Sequence, residues 1–180
     1  MPIPLSLLKV HCRVDFTDDD AILALYLSSA VSFFEGATRR LLSQQTRHIR
    51  RGDFAPTALP FPPFVSVTSV TYVDSDGNTQ TLPAANWVVE STQPIAVVQF
   101  VGDLPDLHED TYDRVTIQYV AGWENPPADV VASVLQLAAT AYLLREATAS
   151  PAAPRFAIDF GVQSVIARWA VPEFEGRLDP

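Results

Sequence analysis

Asp74, Asp76 and Asn78 stand at alternate positions in "DSDGNTQ", the spacing with which a calcium loop begins. The rest of such a loop fails. Thr79 stands where the sharp bend needs glycine, and Ala85 where the bidentate glutamate belongs. An Asp-Gly pair between strand-like runs is a hairpin turn, and a turn is the expectation here. A second acidic group, Asp18, Asp19 and Asp20, precedes a helical pattern. Three consecutive side chains diverge instead of converging on one ion, so their expected role is to complement the positive end of the helix dipole. His11, His48 and His108 have no partner at metal-ligand spacing, and the chain holds no nucleophile elbow, phosphate-cradling glycine loop or HExxH. No catalytic, cofactor-binding or metal residue is assigned, and the chain is not expected to be an enzyme.

The basic residues are more informative. Arg39, Arg40, Arg47, Arg50 and Arg51 fall in one short stretch of a chain whose formal net charge is −9. That balance argues against free nucleic-acid binding as the main activity, because a phosphate-neutralising domain is usually basic. Arg39 and Arg40 suit a helix C-terminus. Arg47, Arg50 and Arg51 extend the positive patch into the next connection. Together the five form the candidate partner interface, facing an acidic protein surface or passing DNA. Cys12 is the only cysteine, so no internal disulfide or zinc-binding cysteine cluster is expected, and the chain reads as intracellular in origin. Its first residues have no basic segment before their short apolar run, unlike a signal peptide. No uninterrupted apolar run approaches the roughly 20 residues of a membrane span, so no membrane partner is expected.

Hydrophobic residues make up 48% of the chain and charged ones 18%, enough apolar surface for a core. In "FTDDDAILALYLSSAVSFFEGATRRLL", Thr17 with Asp20 three positions on forms a capping box. Apolar residues at Ile22, Leu23, Leu25, Tyr26, Ala30, Phe33, Phe34, Ala37 and Leu41 keep close to helical period. The expectation is a helix from about Asp18 to Ser43, roughly 39 Å long, with a short helical turn before it in "SLLKVHCRV". From about Thr46 to Gly122 the period changes to two. "FVSVTSVTYVD" sets Val65, Val67, Ser69, Thr71 and Val73 on one face, with Ser66, Thr68, Val70 and Tyr72 on the other. "NWVVES", "PIAVVQFV" and "DRVTIQYVAG" are further strand candidates, and with no helix between them they predict an antiparallel sheet or small barrel. Asn125 as cap and Pro126 at the first position start a second helix that runs to about Ala147. "ASPAAP" breaks it, and "FGVQSVIARWAV" is read as a last strand or extended arm.

The predicted fold is α+β: a long N-terminal helix and a buried C-terminal helix flank an inserted antiparallel β subdomain, with an extended C-terminal arm. Within a single domain, 1–180, the parts are an N-terminal helical part (1–45), the β insertion (46–122), a packing helix (123–147) and the C-terminal arm (148–180).

The packing helix is apolar on too many sides for a surface helix. Val130, Val131, Val134, Leu135, Leu137, Ala138, Ala141, Tyr142 and Leu144 spread around its wheel, with few polar breaks such as Gln136 and Thr140. Such a helix must be buried all round, and neighbouring subunits are expected to complete what one chain leaves open. Val131, Val134, Leu135, Ala138 and Tyr142 are therefore candidate inter-subunit packing residues. The small Ala132, Ala138, Ala139 and Ala141 would let other helices approach closely. Two alternatives stand beside a structural oligomer. A DNA-packaging-associated ring protein needs a basic helix-turn-helix, which the acidity argues against. A small β-domain binding module needs a convergent polar pocket, which the sequence does not show.

The chain resembles the head–tail connector (adaptor, or head-completion) proteins of long-tailed bacteriophages and gene-transfer particles. Its opening is similar to theirs through Leu8, Lys9, Arg13, Asp18 to Asp20, Thr38 and Arg40. A proline-rich lead-in, valine strand and Asp-Gly turn follow, through Pro60, Pro63, Val67, Val70, Tyr72, Asp74 and Gly77. The end resembles theirs through Tyr119, Gly122, Pro127, Ala138, Tyr142, Arg145 and Glu146, so the likeness covers about Leu5 to Glu146. Where the family often has a Trp-Pro step between its last two strands, this chain reads "GDLPDLHED". The resemblance implies a ring-forming structural protein without catalytic residues or cofactors. It implies a homo-oligomer, usually twelvefold, that docks beneath the portal protein and continues the channel for double-stranded DNA without sequence readout. It also implies a platform for the next connector, stopper or tail-terminator protein, located at the head–tail junction of the virion and in the host cytoplasm during assembly. The arginine cluster and the C-terminal arm are then the candidates for portal docking.

Overall fold

A computed structural model describes residues 3–93, 95–110, 112–144 and 160–171. The described elements are helices α1 (Leu5–Cys12), α2 (Asp20–Thr38), α3 (Ala128–Leu143) and α4 (Phe160–Trp169), and strands β1 (Gln45–Arg51), β2 (Thr57–Leu59), β3 (Phe64–Val73), β4 (Thr79–Thr81), β5 (Trp87–Gln93), β6 (Ile95–Phe100) and β7 (Val115–Ala121). The α+β class stands, with helices at both ends and an antiparallel insertion between them. The chain divides into two compact units. A helical unit takes the residues up to Ser43 and those from Glu124 to Val171, and a β unit begins at Gln44 and runs to Trp123.

In the helical unit the expected helical turn is a full helix, α1. It is closed by Arg13 in the left-handed region (φ 56°), whose N–H returns to the carbonyls of Lys9 and Val10. α2 is shorter than its periodicity predicts, beginning at Asp20 and ending at Thr38. Arg39 turns left-handed (φ 55°), and the Glu35 carboxylate accepts the Leu42 amide at 2.7 Å, folding the chain back. Leu41 therefore keeps its buried place outside the helix, 2% exposed. Thr17 does not cap α2 with its side chain. Asp19 is the N-cap residue, and Asp20 is engaged by Lys9 at 2.6 Å. Lys9 also donates to the Phe16 carbonyl at 2.6 Å, fastening α1 to the loop that leads into α2.

α3 starts after both prolines, with Pro127 as its N-cap residue, and not at Asn125. The residue before a proline is steered away from the α region, and this applies to Asn125 and Pro126 in turn. The "FGVQSVIARWAV" stretch is corrected: its residues from Phe160 to Trp169 form helix α4, not a strand or an arm. Val162, Val165, Ile166 and Trp169 recur at i, i+3, i+4 and i+7, a helical stripe that its β-branched residues disguise. The rest of the expected arm, like Arg145 and Glu146, lies outside the described residues. The core of this unit is Leu8, Leu23, Leu27, Phe34, Val130, Val134 and Ala138, each fully buried.

The β unit has two antiparallel sheets, ordered β1-β7-β3-β4 and β2-β6-β5. The central strand β7 alternates buried Val115, Ile117, Tyr119 and Ala121 with half-buried Thr116, Gln118 and Val120. β3 does not keep strict alternation. Its register against β7 shifts twice, between Phe64 and Ser66 and between Val67 and Ser69. Each extra residue flips the phase, so Phe64, Val67, Val70 and Tyr72 lie opposite Ala121, Tyr119, Ile117 and Val115 and share the inner face. Val65, expected on the face of Val67, is left 43% exposed. Phe54 packs edge-on against Tyr72 of one sheet and Phe100 of the other, with centroids 6.0 and 5.1 Å away.

Candidate functional site

The Asp74 turn is a turn. Its carboxylate accepts from the Asp76 and Asn78 amides at 3.1 and 2.8 Å and from the Gln80 side chain at 3.1 Å, while Gly77 supplies the positive φ of 84°. These bonds, led by the Asn78 amide, hold its carboxyl below the usual carboxylate range. Among the described residues no group of three or more His, Cys, Asp or Glu is placed to hold a metal ion. His48 lies on β1, and the His108 ring sits against the turn, within 3.6 Å of where a Gly77 side chain would start.

The five arginines are divided between the two units and put to different uses. Arg39 is the left-handed cap of α2. Arg40 donates from Nε to the Trp169 carbonyl at 2.7 Å, and its Cζ lies 5.5 Å from the centre of that indole ring. Burial pulls its pKa down from the ordinary arginine value. Arg47, Arg50 and Arg51 stand on edge strand β1 and not in a connection. Successive strand residues face opposite ways, so Arg47 and Arg51 share the face of Tyr119 and Val115, while Arg50 points to the other face. There it reaches Asp113 at 3.7 Å, both side chains being more than half exposed. Arg47 lies over Phe61, with Cζ 5.1 Å from the ring centre. Its Nε is buried and meets no acceptor among the described residues. Phe61 holds a left-handed backbone, φ 64°. Beside it Tyr119 donates its hydroxyl to the Pro60 carbonyl at 3.0 Å. Burial pushes the Tyr119 pKa up to about 12, with the Arg47 charge opposing.

The candidate packing residues of α3 are largely occupied within their own helical unit. Val134, Leu135 and Ala138 are buried at 0, 6 and 0% exposure, because α1, α2 and α4 pack around the helix. The helical unit thus supplies the cover for these three residues itself. Tyr142 donates its hydroxyl to the Asp19 carboxylate at 2.5 Å, tying α3 to the start of α2. Val131 remains half-buried. The apolar surface left open belongs instead mainly to α1 and α2, through Leu7, Val10, Leu25 and Phe33, together with Leu143. A shallow groove of about 120 Å³ lies between α2 and α3, lined by Tyr26, Ser29, Ala30, Phe33, Leu137 and Ala141. α2 is also long and apolar enough to cross a membrane, by length and composition alone. Its inner face, with Leu23, Leu27, Ala30, Val31, Phe34 and Thr38, is buried in the helical unit.

Sequence reasoning missed one cluster. The Trp169 indole donates to Asp129 at 3.0 Å, Arg168 approaches the same carboxylate at 3.6 Å, and the Val171 amide donates to the Thr38 carbonyl at 3.0 Å. These contacts seat α4 on α2 and α3, and the Trp169 bond is the first cause of a lowered Asp129 pKa. The i, i+3, i+4, i+7 stripe of α4 is the signal that would have found it.

Residues 2–71 match the model of the phage gp6-like head-tail connector protein family. A chain from the neck of the empty GTA particle, computed with C6 symmetry, is 29% identical with a TM-score of 0.76, over 98% of this chain and 93% of that one. A chain from the virion of the native gene transfer agent (GTA) particle is 28% identical with a TM-score of 0.76, over 97% and 93%. The resemblance to head–tail connector proteins holds. A third match, from the neck of the native GTA particle computed with C12 symmetry, is 29% identical with a TM-score of 0.70, over 97% and 95%. No curated protein matches the chain. These likenesses are to a head-tail connector family and to components of gene-transfer-agent particles.

Proposed function

We propose that the chain is the structural subunit of a ring at the head–tail junction, beneath the portal. The ring extends the DNA channel and offers the platform on which a stopper or tail component docks. The reading is carried by the match over nearly the whole of both chains to a component of a GTA neck. The C6 and C12 symmetries of those necks support a ring of repeated copies, twelve being the number favoured. Exposed Leu25 and Phe33 on α2, with Leu7 and Val10 on α1, supply apolar surface for copies to bury. Among the packing residues named from the sequence, half-buried Val131 and Tyr142 are the two left partly open to serve there. The net charge of −9 suits a channel wall that repels DNA and lets it slide. Subunits would gather in the host cytoplasm and reach the portal after packaging.

Imaging of purified particles tests the reading: density for this chain is expected as a ring at the junction, and particles lacking the chain are expected to be filled heads without tails. Density elsewhere in the particle, or tailed particles without the chain, would sink it. Portal docking through Arg47, Arg50 and Arg51 is a finer part of the proposal. The triple replacement by glutamine is expected to give full heads without tails, and normal particles from that mutant remove the docking role.

A further inference from the structure

Among the described residues nothing pairs with the outer side of β1. β1 ends its sheet, pairing with β7 on one side, and its backbone makes no other hydrogen bond among the described residues. Alternate N–H and C=O groups therefore point away from the sheet, a template for one more strand. Three arginines stand along this edge: Arg47, Arg50 and Arg51 occupy three of seven positions in a chain of net charge −9. Charge on an edge strand also guards against aggregation, but a simple guard needs neither a bracing ring nor a buried nitrogen. Arg47 has both. Its guanidinium is held over Phe61 with Nε buried and without an acceptor, in a loop that Tyr119 pins through Pro60. Phe61 keeps a left-handed backbone that a bulky residue rarely adopts, and the residue is 37% exposed. A guanidinium fixed in this way has lost its side-chain freedom before any partner arrives.

We propose that the β1 edge takes an extended acidic segment of a partner protein as an added strand. One carboxylate meets Arg47, and another four residues away meets Arg51, which shares its face and is exposed. The two arginines are about 13 Å apart along the strand, with half-buried Ile49 between them to receive an apolar side chain. A peptide completes the row of backbone bonds, whereas DNA brings anions and no amides to pair. This proposal rests on the reading of the chain as a neck component and narrows its arginine surface to one strand edge and one partner chemistry. Arg39, which caps α2, and Arg40, which serves Trp169, are not part of it.

The probe is a synthetic blocked heptapeptide, Thr-Glu-Thr-Val-Thr-Glu-Thr, titrated into the full chain and followed by amide chemical shifts and calorimetry. Binding is expected with shifts along β1, absent when both glutamates are glutamine. Arg47→Gln is expected to weaken it about tenfold, as loss of a charge-assisted hydrogen bond does, and Arg50→Gln by less than about twofold. Arg51→Gln, on an exposed side chain whose loss cannot unfold the unit, is expected to weaken it about threefold. No binding by the unaltered chain, or equal losses from Arg47→Gln and Arg50→Gln, overturns the proposal. So does displacement of the peptide by short duplex DNA. Binding that appears only after removal of residues 172–180, which include Glu173, Glu175 and Asp179, assigns the edge to the chain's own end and also overturns it. A chain that builds rings in particles yet ignores the peptide sinks this inference and leaves the proposed function standing.

Discussion

The helical unit and the β unit meet water in opposite ways. The helices bury one apolar face and leave another open, with Val10 75%, Leu143 74% and Leu25 61% exposed. The β unit fills its centre with Val70, Val98, Val115 and Ile117, each fully buried, and lines its open edge β1 with arginine. The first unit is short of cover for the apolar surface of α1 and α2, whereas the second carries charge along β1. Association is therefore expected to be apolar and insensitive to salt through the helices, and charge-steered and salt-sensitive through β1.

The sharpest way to break this contrast uses two adjacent phenylalanines on α2. Phe34 is fully buried, so Phe34→Ala is expected to destabilise the helical unit by about 3–5 kcal/mol, read in urea melts of the helical circular-dichroism signal. Phe33 is 45% exposed, so Phe33→Ala is expected to cost about 1 kcal/mol or less in the isolated chain while abolishing ring assembly in particles. Equal effects on folding from the two would erase the distinction between inner and open face.

Asp129 gives a smaller effect and a pH signature. Asp129→Asn weakens the bond from Trp169 and is expected to cost about 1–2 kcal/mol. In the wild type the carboxyl pKa is depressed on folding, first by Trp169. The unfolded chain therefore binds more protons in the acid window. This contribution is fully present above about pH 4 and lost as pH falls through the folded pKa. Thermal melts from pH 3 to 7 are expected to show the acid-side loss in the wild type and a flatter profile in Asp129→Asn.

Two glycines set the units against each other in sign. Gly77→Ala meets only ordinary contacts with His108, but its φ of 84° is unfavourable for alanine, and a loss of about 1 kcal/mol is expected. Gly36 sits in α2 with open space at its side-chain position, and Gly36→Ala is expected to stabilise by about 0.5 kcal/mol. Both are read as shifts in the melting midpoint. The smallest change is Arg50→Ala: its exposed pair with Asp113 is expected to contribute less than about 0.5 kcal/mol, within error in the same melts.

Legibility followed how many signals a segment carried at once. β5, β6 and β7 were readable because β-branched runs alternate between clear turn residues. β1 was not, because "QTRHIRR" holds a single large apolar residue and joins the sheet through backbone pairing that composition does not register. The faces of β3 were misread because a bulge inserts a residue without changing the residue types. The α4 helix failed through a conflict between β-branched composition and helical spacing, and spacing won once Trp169 found Asp129. The arginines were found as a run, but sequence gives no sign that Arg40 turns to Trp169 while Arg47 is braced on Phe61. Apolar periodicity located α3 and could not tell whose atoms cover it.

The pairing of β1 with β7 has a further consequence. It sets Gln45 opposite Ala121, so the chain leaves the first helices and returns towards α3 through two neighbouring positions. A slack loop spanning Gln44 to Trp123 would have to bring its ends together against a chain entropy on the order of 4 kcal/mol, from its length of roughly 80 residues. Here the folded insertion clamps its own ends. The helices on either side behave as if joined by a short link, and the cassette between them is free to lengthen or change strands other than β1 and β7 without loosening that clamp.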